Sequence, residues 1–339
     1  MKAVTIPRYG SPDVLEIRDY PNPETGVDEI KIKVKAAGIN FADILARKGL
    51  YPDAPSAPVV VGYEVAGEVL EAGRDAGDFK PGDRVTALTR FGGYANRVVV
   101  KHNQVFPTPD NLSDIEAAAI PVNYLTAWQL VEMSGLTRHD TLLIHNAGGG
   151  VGLAVIDLAV KKGARILGTA SSAKHDRLRA RGLDICIDYR KEDWVQKVLE
   201  HTGGKGADVI FDPLGGAYWK KNYQVLRKTG RLGMFGISEV TESALPGVLR
   251  FIPMLRKLPF YSPIKLMNDN KGVFGVNVGK LWREQDKVSM WAKEILKGAA
   301  EGWVNPHVDA AFTFEEAEEA HRYIENRRNF GKVVLLPDG

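Results

Sequence analysis

The sequence holds a single cysteine, Cys186, among 339 residues. One thiol excludes an intramolecular disulfide and any zinc site built from several cysteines. It suits a reducing, cytoplasmic setting. Long apolar runs are missing as well. No uninterrupted stretch reaches the roughly 18 residues of a membrane span, and the start, Met1-Lys2-Ala3-Val4-Thr5-Ile6-Pro7, lacks the apolar core of a signal peptide. Charge of one sign is scarce, since 45 basic residues against 42 acidic ones leave +3. That excess is too small to predict a nucleic-acid partner or a membrane-surface role. What remains is an ordinary globular mix, 44% hydrophobic and 26% charged. Its length suggests roughly two domains of about 150 residues.

The first third reads as short strands between turns. Ile30 to Ala36 alternates apolar residues with lysines, the pattern of a half-buried strand. Val59–Gly67 and Val98–Lys101 read as further strands, with turns at Pro81-Gly82-Asp83 and Gly92-Gly93. A helix is predicted over Asn40–Lys48.

Past Pro121 the character changes. A helix over Leu125–Ser134 leads into alternating elements. The strands are Thr141–His145, Arg165–Thr169, Ile185–Ile187, Val209–Phe211 and Gly230–Phe235. The helices are Gly150–Lys162, Lys174–Arg181, Trp194–His201 and Tyr218–Leu226. Val273–Val278 looks like a last strand, followed by helices at Asp286–Glu301 and Glu315–Asn326 and a strand at Lys332–Leu336. Such alternation predicts an α/β fold with a parallel sheet covered on both faces. Residues 243–268 break the rhythm. There Leu249, Phe251, Ile252 and Phe260 mingle with Arg250, Arg256 and Lys257, and Pro246, Pro253, Pro259 and Pro263 prevent a long helix. The segment reads as a lid, a dimer contact, or a partner or membrane surface.

The strongest motif is Ala147-Gly148-Gly149-Gly150-Val151-Gly152, between an apolar strand and a helix. In that context glycines make a tight turn, let backbone N–H groups approach a pyrophosphate and open a helix whose N-terminus favours negative charge. A site that prefers NAD usually places Asp or Glu about 20 residues on, against the ribose 2′-hydroxyl. Here that slot is Ala170-Ser171, followed by Ser172 and Lys174, and Tyr189-Arg190 follows the next strand. With no carboxylate to repel it, a 2′-phosphate is accommodated. The pattern reads as NADPH, held by Ser171, Lys174 and Tyr189.

Several further stretches carry a family resemblance. They include Met1-Lys2-Ala3-Val4, Ala37-Gly38-Ile39-Asn40-Phe41-Ala42-Asp43, Gly49-Leu50-Tyr51, Gly62-Tyr63-Glu64 and Lys80-Pro81-Gly82-Asp83-Arg84-Val85. With the nucleotide motif they resemble the quinone oxidoreductase branch of the medium-chain dehydrogenase/reductase superfamily. Pro121-Val122-Asn123-Tyr124-Leu125-Thr126-Ala127, Phe211-Asp212-Pro213-Leu214-Gly215-Gly216 and Asn329-Phe330-Gly331-Lys332-Val333 look most like vesicle amine transport protein homologues. The resemblance implies a GroES-like, mainly β catalytic domain over 1–121 and 284–339. A Rossmann NADPH-binding domain would span 122–283, with the active site in the cleft between them.

Zinc-dependent relatives carry a cysteine where this chain has Asn40 and a histidine where it has Tyr63. No histidine lies within ten residues of either, so no metal is expected, because catalytic zinc needs three protein ligands. Without a Lewis acid, the suitable acceptor is one already electrophilic, a quinone or another conjugated carbonyl. The motif positions imply Asn40, Asp43, Tyr51 and Tyr63 as active-site residues. Asn40 would bond the nicotinamide or the substrate oxygen. Asp43 alternatively pairs with Arg47 one turn on, and Glu64 reads as structural, in a buried hydrogen bond or ion pair. For the cofactor, strand ends and motif positions add several residues. They are Asn123 and Thr126, then Gly236 and Ile237 in Phe235-Gly236-Ile237-Ser238 at the end of the sixth Rossmann-type strand. Phe274 and Val276 follow, with Asn329 and Lys332 reaching back to the cofactor phosphates. A homodimer is expected through Val273–Val278, an exposed sheet edge. Two other readings stay open: reduction of an enone or enoyl C=C bond by NADPH, and an NADPH-binding trafficking or scaffold protein with little turnover.

Overall fold

A short antiparallel pair opens the chain, β1 (Lys2–Thr5) against β2 (Glu16–Asp19). The long β3 (Glu29–Ile39) follows, and Ile30, Ile32, Val34 and Ala36 along it are buried while lysines alternate with them. It leads into α1 (Phe41–Arg47), then β4 (Glu64–Ala72), β5 (Arg84–Leu88), β6 (Arg97–Lys101) and β7 (Val105–Pro107). After the short α2 (Asp114–Ala117), α3 runs over Pro121–Ser134. It starts four residues earlier than expected, because proline is well tolerated in a first helical turn. The expected strand at Val59–Gly67 is only partly right. Val59 makes an isolated bridge to Ile6, and the strand begins at Glu64. Between them Gly62 has φ 102, outside the range a strand uses.

The structure, a computed structural model, describes residues 1–242, 252 and 258–337. The lid, dimer-contact or surface role expected of 243–268 therefore falls largely outside the described residues. Two compact units emerge, Met1–Leu125 with Gly279–Gly339, and Thr126–Val278.

The second unit carries six parallel strands: β8 (Thr141–Ile144), β9 (Arg165–Ala170), β10 (Ile185–Asp188), β11 (Ala207–Asp212), β12 (Leu226–Met234) and β13 (Gly272–Gly275). Their order is β10-β9-β8-β11-β12-β13. The chain thus runs outward from β8 in one direction and then returns to build in the other, which is the dinucleotide-binding arrangement with its switch point between β8 and β11. Helices α4 (Gly150–Lys162), α5 (His175–Ala180), α6 (Trp194–His201) and α7 (Ala217–Val225) connect them. A 3₁₀ turn over Ser172–Lys174 precedes α5, so the helix expected from Lys174 starts one residue later. The strand before Phe235-Gly236-Ile237 is the fifth of this sheet, and β13 is the sixth. Leu142, Leu143, Ile144, Ile166 and Leu167 are fully buried, as central parallel strands require.

The chain returns to the first unit through a helix at Gln285–Ala300, then β14 (Val308–Thr313), a helix at Ala317–Glu325 and β15 (Lys332–Leu336). The last strand pairs antiparallel with β3 and parallel with β14. The seven-stranded sheet thus runs β14-β15-β3-β4-β5-β7, with β6 also on β3.

Candidate functional site

The glycine motif sits where its sequence placed it, between β8 and α4. Asn146 turns the chain with φ 52, and the Gly149 N–H returns to the Asn146 carbonyl at 2.9 Å. Gly149 then caps α4 from extended backbone. In the first turn the N–H groups of Gly150, Val151 and Gly152 have no intrahelical acceptor. Crowding explains the glycines themselves. A Cβ on Gly152 would meet the Asn146 and Ala147 carbonyl oxygens at 2.5 Å, and one on Gly149 would meet the Asn146 amide nitrogen at 2.7 Å. Open N–H groups at the positive end of a 13-residue helix fit a pyrophosphate.

Ser171 and Tyr189 emerge side by side, because Ala170 of β9 and Asp188 of β10 are register partners. Arg190 lies 5.7 Å from the centre of the Tyr189 ring. Two carboxylates lie at this corner, Glu192, which accepts from Asp188 N at 2.8 Å, and Asp188, which faces backbone. Its oxygens accept from Ser172 N at 3.3 Å and Arg190 N at 3.0 Å. The Lys191 ammonium reaches the Ser172 hydroxyl at 3.5 Å. Lys191 was not among the residues expected from the sequence. Ser171, Lys174 and Tyr189, together with Arg190 and Lys191, give this corner a cationic, hydroxyl-rich character.

At the other strand ends of this unit, the Val276 N–H donates to the Met234 carbonyl at 2.9 Å, so Phe274 and Val276 follow β13 beside the end of β12. Gly236 and Ile237 come directly after, and a Cβ on Gly236 would meet the Pro213 carbonyl at 2.5 Å. Asn123 and Thr126 lie one turn apart on α3, both buried, and the Asn123 amide donates to the Ala119 carbonyl at 3.1 Å.

The first unit gathers a buried polar cluster that no sequence pattern announced in full. The Asn40 amide donates to Glu64 Oε1 at 2.9 Å and more weakly to the Gly38 carbonyl at 3.4 Å. Lys332 Nζ donates to Asn40 Oδ1 at 2.7 Å and to Glu64 Oε1. The other Glu64 oxygen accepts from Val122 N at 2.7 Å. Glu64 is fully buried and Lys332 is 3% exposed. The expected reach of Lys332 to the cofactor phosphates is corrected by this geometry, since a buried ammonium is held by its counter-charge. Asn329 turns its amide onto the Gly331 carbonyl at 2.8 Å. The structural reading of Glu64 agrees with this ion pair.

Asp43 does not pair with Arg47. Arg47 is fully buried and bridges to Glu325 at 2.8 Å. Asp43 instead accepts from Asn40 N at 2.8 Å and Gly62 N at 3.0 Å. It therefore fixes the backbone on both sides of the Asn40 and Tyr63 positions. Burial pushes its carboxyl up to about 7, against the pull of those bonds. Tyr63 packs edge-on to Tyr51 at 6.0 Å and against Phe91 at 5.3 Å. Its hydroxyl is buried beside the Tyr51 side chain. Burial, then the nearby Asp43 charge, holds that phenol well above its usual range, so it stays protonated. A separate cavity of about 460 Å³ in this unit, lined by Phe79, Phe106 and Lys293 among others, includes none of these residues. No group of three or more metal-ligating side chains occurs among the described residues.

Comparison with known proteins adds an independent line. Residues 26–110 match the family described as alcohol dehydrogenase GroES-like domain, and residues 181–335 match the one described as zinc-binding dehydrogenase. The human synaptic vesicle membrane protein VAT-1 homolog is 32% identical over 341 residues, covering 99% of this chain and 86% of its own. A quinone oxidoreductase of Pseudomonas aeruginosa is 33% identical over 339 residues, with 99% of each chain covered. Among solved structures, the Escherichia coli quinone oxidoreductase complexed with NADPH superposes with a TM-score of 0.88 at 27% identity, covering 99% of this chain and 100% of that one.

Proposed function

Because the chain belongs to the medium-chain dehydrogenase/reductase superfamily, in the group that holds the VAT-1 homologues and quinone oxidoreductases, we propose that it delivers hydride from NADPH to a quinone or related conjugated carbonyl without zinc. The observation that carries the reading is the Lys332 ammonium between Asn40 and Glu64. A fixed ammonium is bonded to Asn40, at the position where zinc-dependent relatives carry a cysteine ligand, and to the Glu64 carboxylate next to Tyr63, which supports a site without a metal. NADPH supplies the hydride.

The chain's own residues do the rest. The first turn of α4 holds the pyrophosphate, and Ser171, Lys174 and Tyr189 hold the 2′-phosphate. Asn123, Thr126, Gly236, Ile237, Phe274 and Val276 are the residues that would hold the nicotinamide riboside. Tyr51 and Tyr63 face the substrate. Of the candidate donors, Tyr63 is the preferred one, because its hydroxyl stays protonated beside Tyr51 while the Asn40 amide is engaged with Glu64 and Gly38. A protonated phenol beside a developing quinol or enolate oxygen stabilises it as a hydrogen-bond donor. Asn40 and Asp43 then act by position. The lone cysteine is consistent with a cytoplasmic enzyme.

One experiment tests this reading: NADPH oxidation followed with a panel of quinones and enones, with and without a metal chelator. We expect turnover with quinones and no effect of the chelator. Tyr63→Phe should slow the reaction by up to about tenfold, below the full loss of a preorganised donor. Lys174→Ala should weaken NADPH by about tenfold or more and NADH far less. Chelator-sensitive turnover would overturn the metal-free mechanism. NADPH binding without turnover on any acceptor would favour a scaffold role, and turnover confined to enones would make this a C=C reductase.

A further inference from the structure

Beneath the dinucleotide loop lies a polar chain that the proposed chemistry does not use. His145 follows β8 directly and is fully buried. Its Nδ1 stands 3.0 Å from the Thr169 hydroxyl, and its Nε2 stands 2.7 Å from Asn222 Oδ1. The Asn222 amide nitrogen donates to Asp212 Oδ2 at 3.0 Å. Asp212 Oδ1 accepts from Leu214 N at 2.6 Å and Gly215 N at 3.4 Å. Asn222 and Asp212 are fully buried and Thr169 nearly so.

We infer that His145, Asn222 and Asp212 form a positioning relay that fixes the dinucleotide-binding loops, with Thr169 as its far end. The inference rests on the dinucleotide reading above. Its force comes from where the members sit. Thr169, His145 and Asp212 end or follow β9, β8 and β11, three adjacent strands of the sheet. The Thr169 carbonyl accepts from Ala147 N at 3.1 Å, so one end of the relay holds the glycine motif. At the other end Asp212 gathers Leu214 and Gly215. The adjoining Pro213 and Leu214 carbonyls accept from Ser238 N at 3.1 Å and Glu239 N at 2.9 Å, bracing the turn that carries Gly236 and Ile237. The glycine motif and the loop after β12 are thus held to one line of hydrogen bonds.

The direction of every bond follows from one charge. Asp212 Oδ1 already accepts from two backbone N–H groups, and above about pH 7, where burial no longer keeps a proton on the carboxyl, both oxygens only accept, so the Asn222 nitrogen faces Asp212 and its oxygen faces His145. Burial holds the His145 imidazole neutral, pushing it down to about 4. Its single proton must then sit on Nε2, leaving Nδ1 to accept from the Thr169 hydroxyl. The Trp194 and Tyr218 rings stack on each other at 5.6 Å and present edges to His145 at 4.7 and 5.3 Å, which fixes the imidazole plane and keeps water out. A polar chain inside an apolar cluster that includes Leu143, Leu167 and Ile210 is tolerable only when each member is satisfied, as here.

Two variants test the relay on the full chain. Asn222→Leu removes the link and leaves an imidazole N–H and a carboxylate oxygen without partners. We expect NADPH to dissociate about tenfold more readily, read by nicotinamide fluorescence. Asp212→Asn keeps a link but reverses it. Its amide donates to a turned Asn222, the His145 proton moves to Nδ1 and Thr169 becomes the acceptor. The expected cost is smaller, about threefold in NADPH affinity, and ¹⁵N resonances of His145 should exchange their protonated and unprotonated signatures. Unchanged NADPH affinity in Asn222→Leu would overturn the positioning role. If that variant does not fold, the tautomer decides. Read at about pH 8, where Asp212 is ionised, a wild-type His145 protonated on Nδ1, or no exchange in Asp212→Asn, would overturn the relay. The tautomer is read without cofactor, so a wild-type chain that shows the Nε2 proton yet binds no NADPH would sink the dinucleotide reading and leave the relay standing.

Discussion

An ammonium that is 3% exposed beside a fully buried carboxylate is sustained only by mutual compensation. Lys332 and Glu64 meet that demand with help from Asn40 and the Val122 N–H. Lys332→Met should therefore cost about 3–5 kcal/mol by urea unfolding, because it strands Glu64. The Glu64→Gln/Lys332→Met pair should recover most of that loss. A double variant no more stable than the single one would show that packing, not charge, is at stake. Four other buried groups set how stability depends on pH. Burial raises Asp43 and Asp212 from 3.8 to about 7. The native state then binds their protons more tightly than the unfolded chain, so stability falls as pH rises between about 4 and 7, by up to ~1.4 kcal/mol per pH unit for each. Burial lowers His145 and His321 from 6.5 to about 4 and about 3. Their contribution has the opposite sign, rising with pH up to about 6.5. Two against two leaves a nearly level profile. We expect His321→Leu to uncover a fall of ~1.4 kcal/mol per pH unit between about pH 4.5 and 6.5. A level profile in that variant would refute the balance.

At the scale of elements, legibility followed the range of the contacts. Helix α4 was read from sequence at both ends, because its cap glycine, apolar spacing and closing Gly163 are local signals. Strand β14 went unread, since no residue of Val308–Thr313 is fully buried and its alternation is weak. The short β1, β2 and β7 offered too few residues for a period to show. Tyr63 and Asn40 were proposed from motif positions, but the bonds that occupy Asn40 come from residues 24 and 292 positions away. No local pattern encodes such partners. The same holds for His145 and Asn222, 77 positions apart. The loop before α4 offers a direct test. In Gly152→Ala the new methyl would stand 2.5 Å from two carbonyl oxygens, so the turn must open. We expect NADPH affinity to fall by at least about tenfold while α4 persists, since alanine favours a helix interior. Unaltered affinity would mean that the turn has slack.

At the scale of the whole molecule, the described chain has no helix long and apolar enough to cross a membrane. Among the described residues, β13 is an edge strand of the six-stranded sheet. The helix Pro263–Asp269 just before it leaves Ile264 and Met267 72% and 74% exposed, with Phe260 at 84%. An edge strand beside exposed apolar side chains invites pairing across a two-fold axis. We expect a homodimer in sedimentation at micromolar concentration, and Ile264→Asp should weaken it. A monomer under those conditions would reject the interface.

The closing of the first sheet by β15 also dictates a schedule. Every strand of the second unit has left the ribosome's decoding centre by residue 278, whereas β3 must await a neighbour translated at the far end of the message. Glu64 precedes its lysine by 268 residues. At cellular elongation rates that gap lasts roughly 15–50 s. Throughout it the nascent chain carries a glutamate that lacks the cation of the finished fold, so burying it before then would require a proton on its carboxyl. A stop codon shortly before Lys332 would leave that wait without an end.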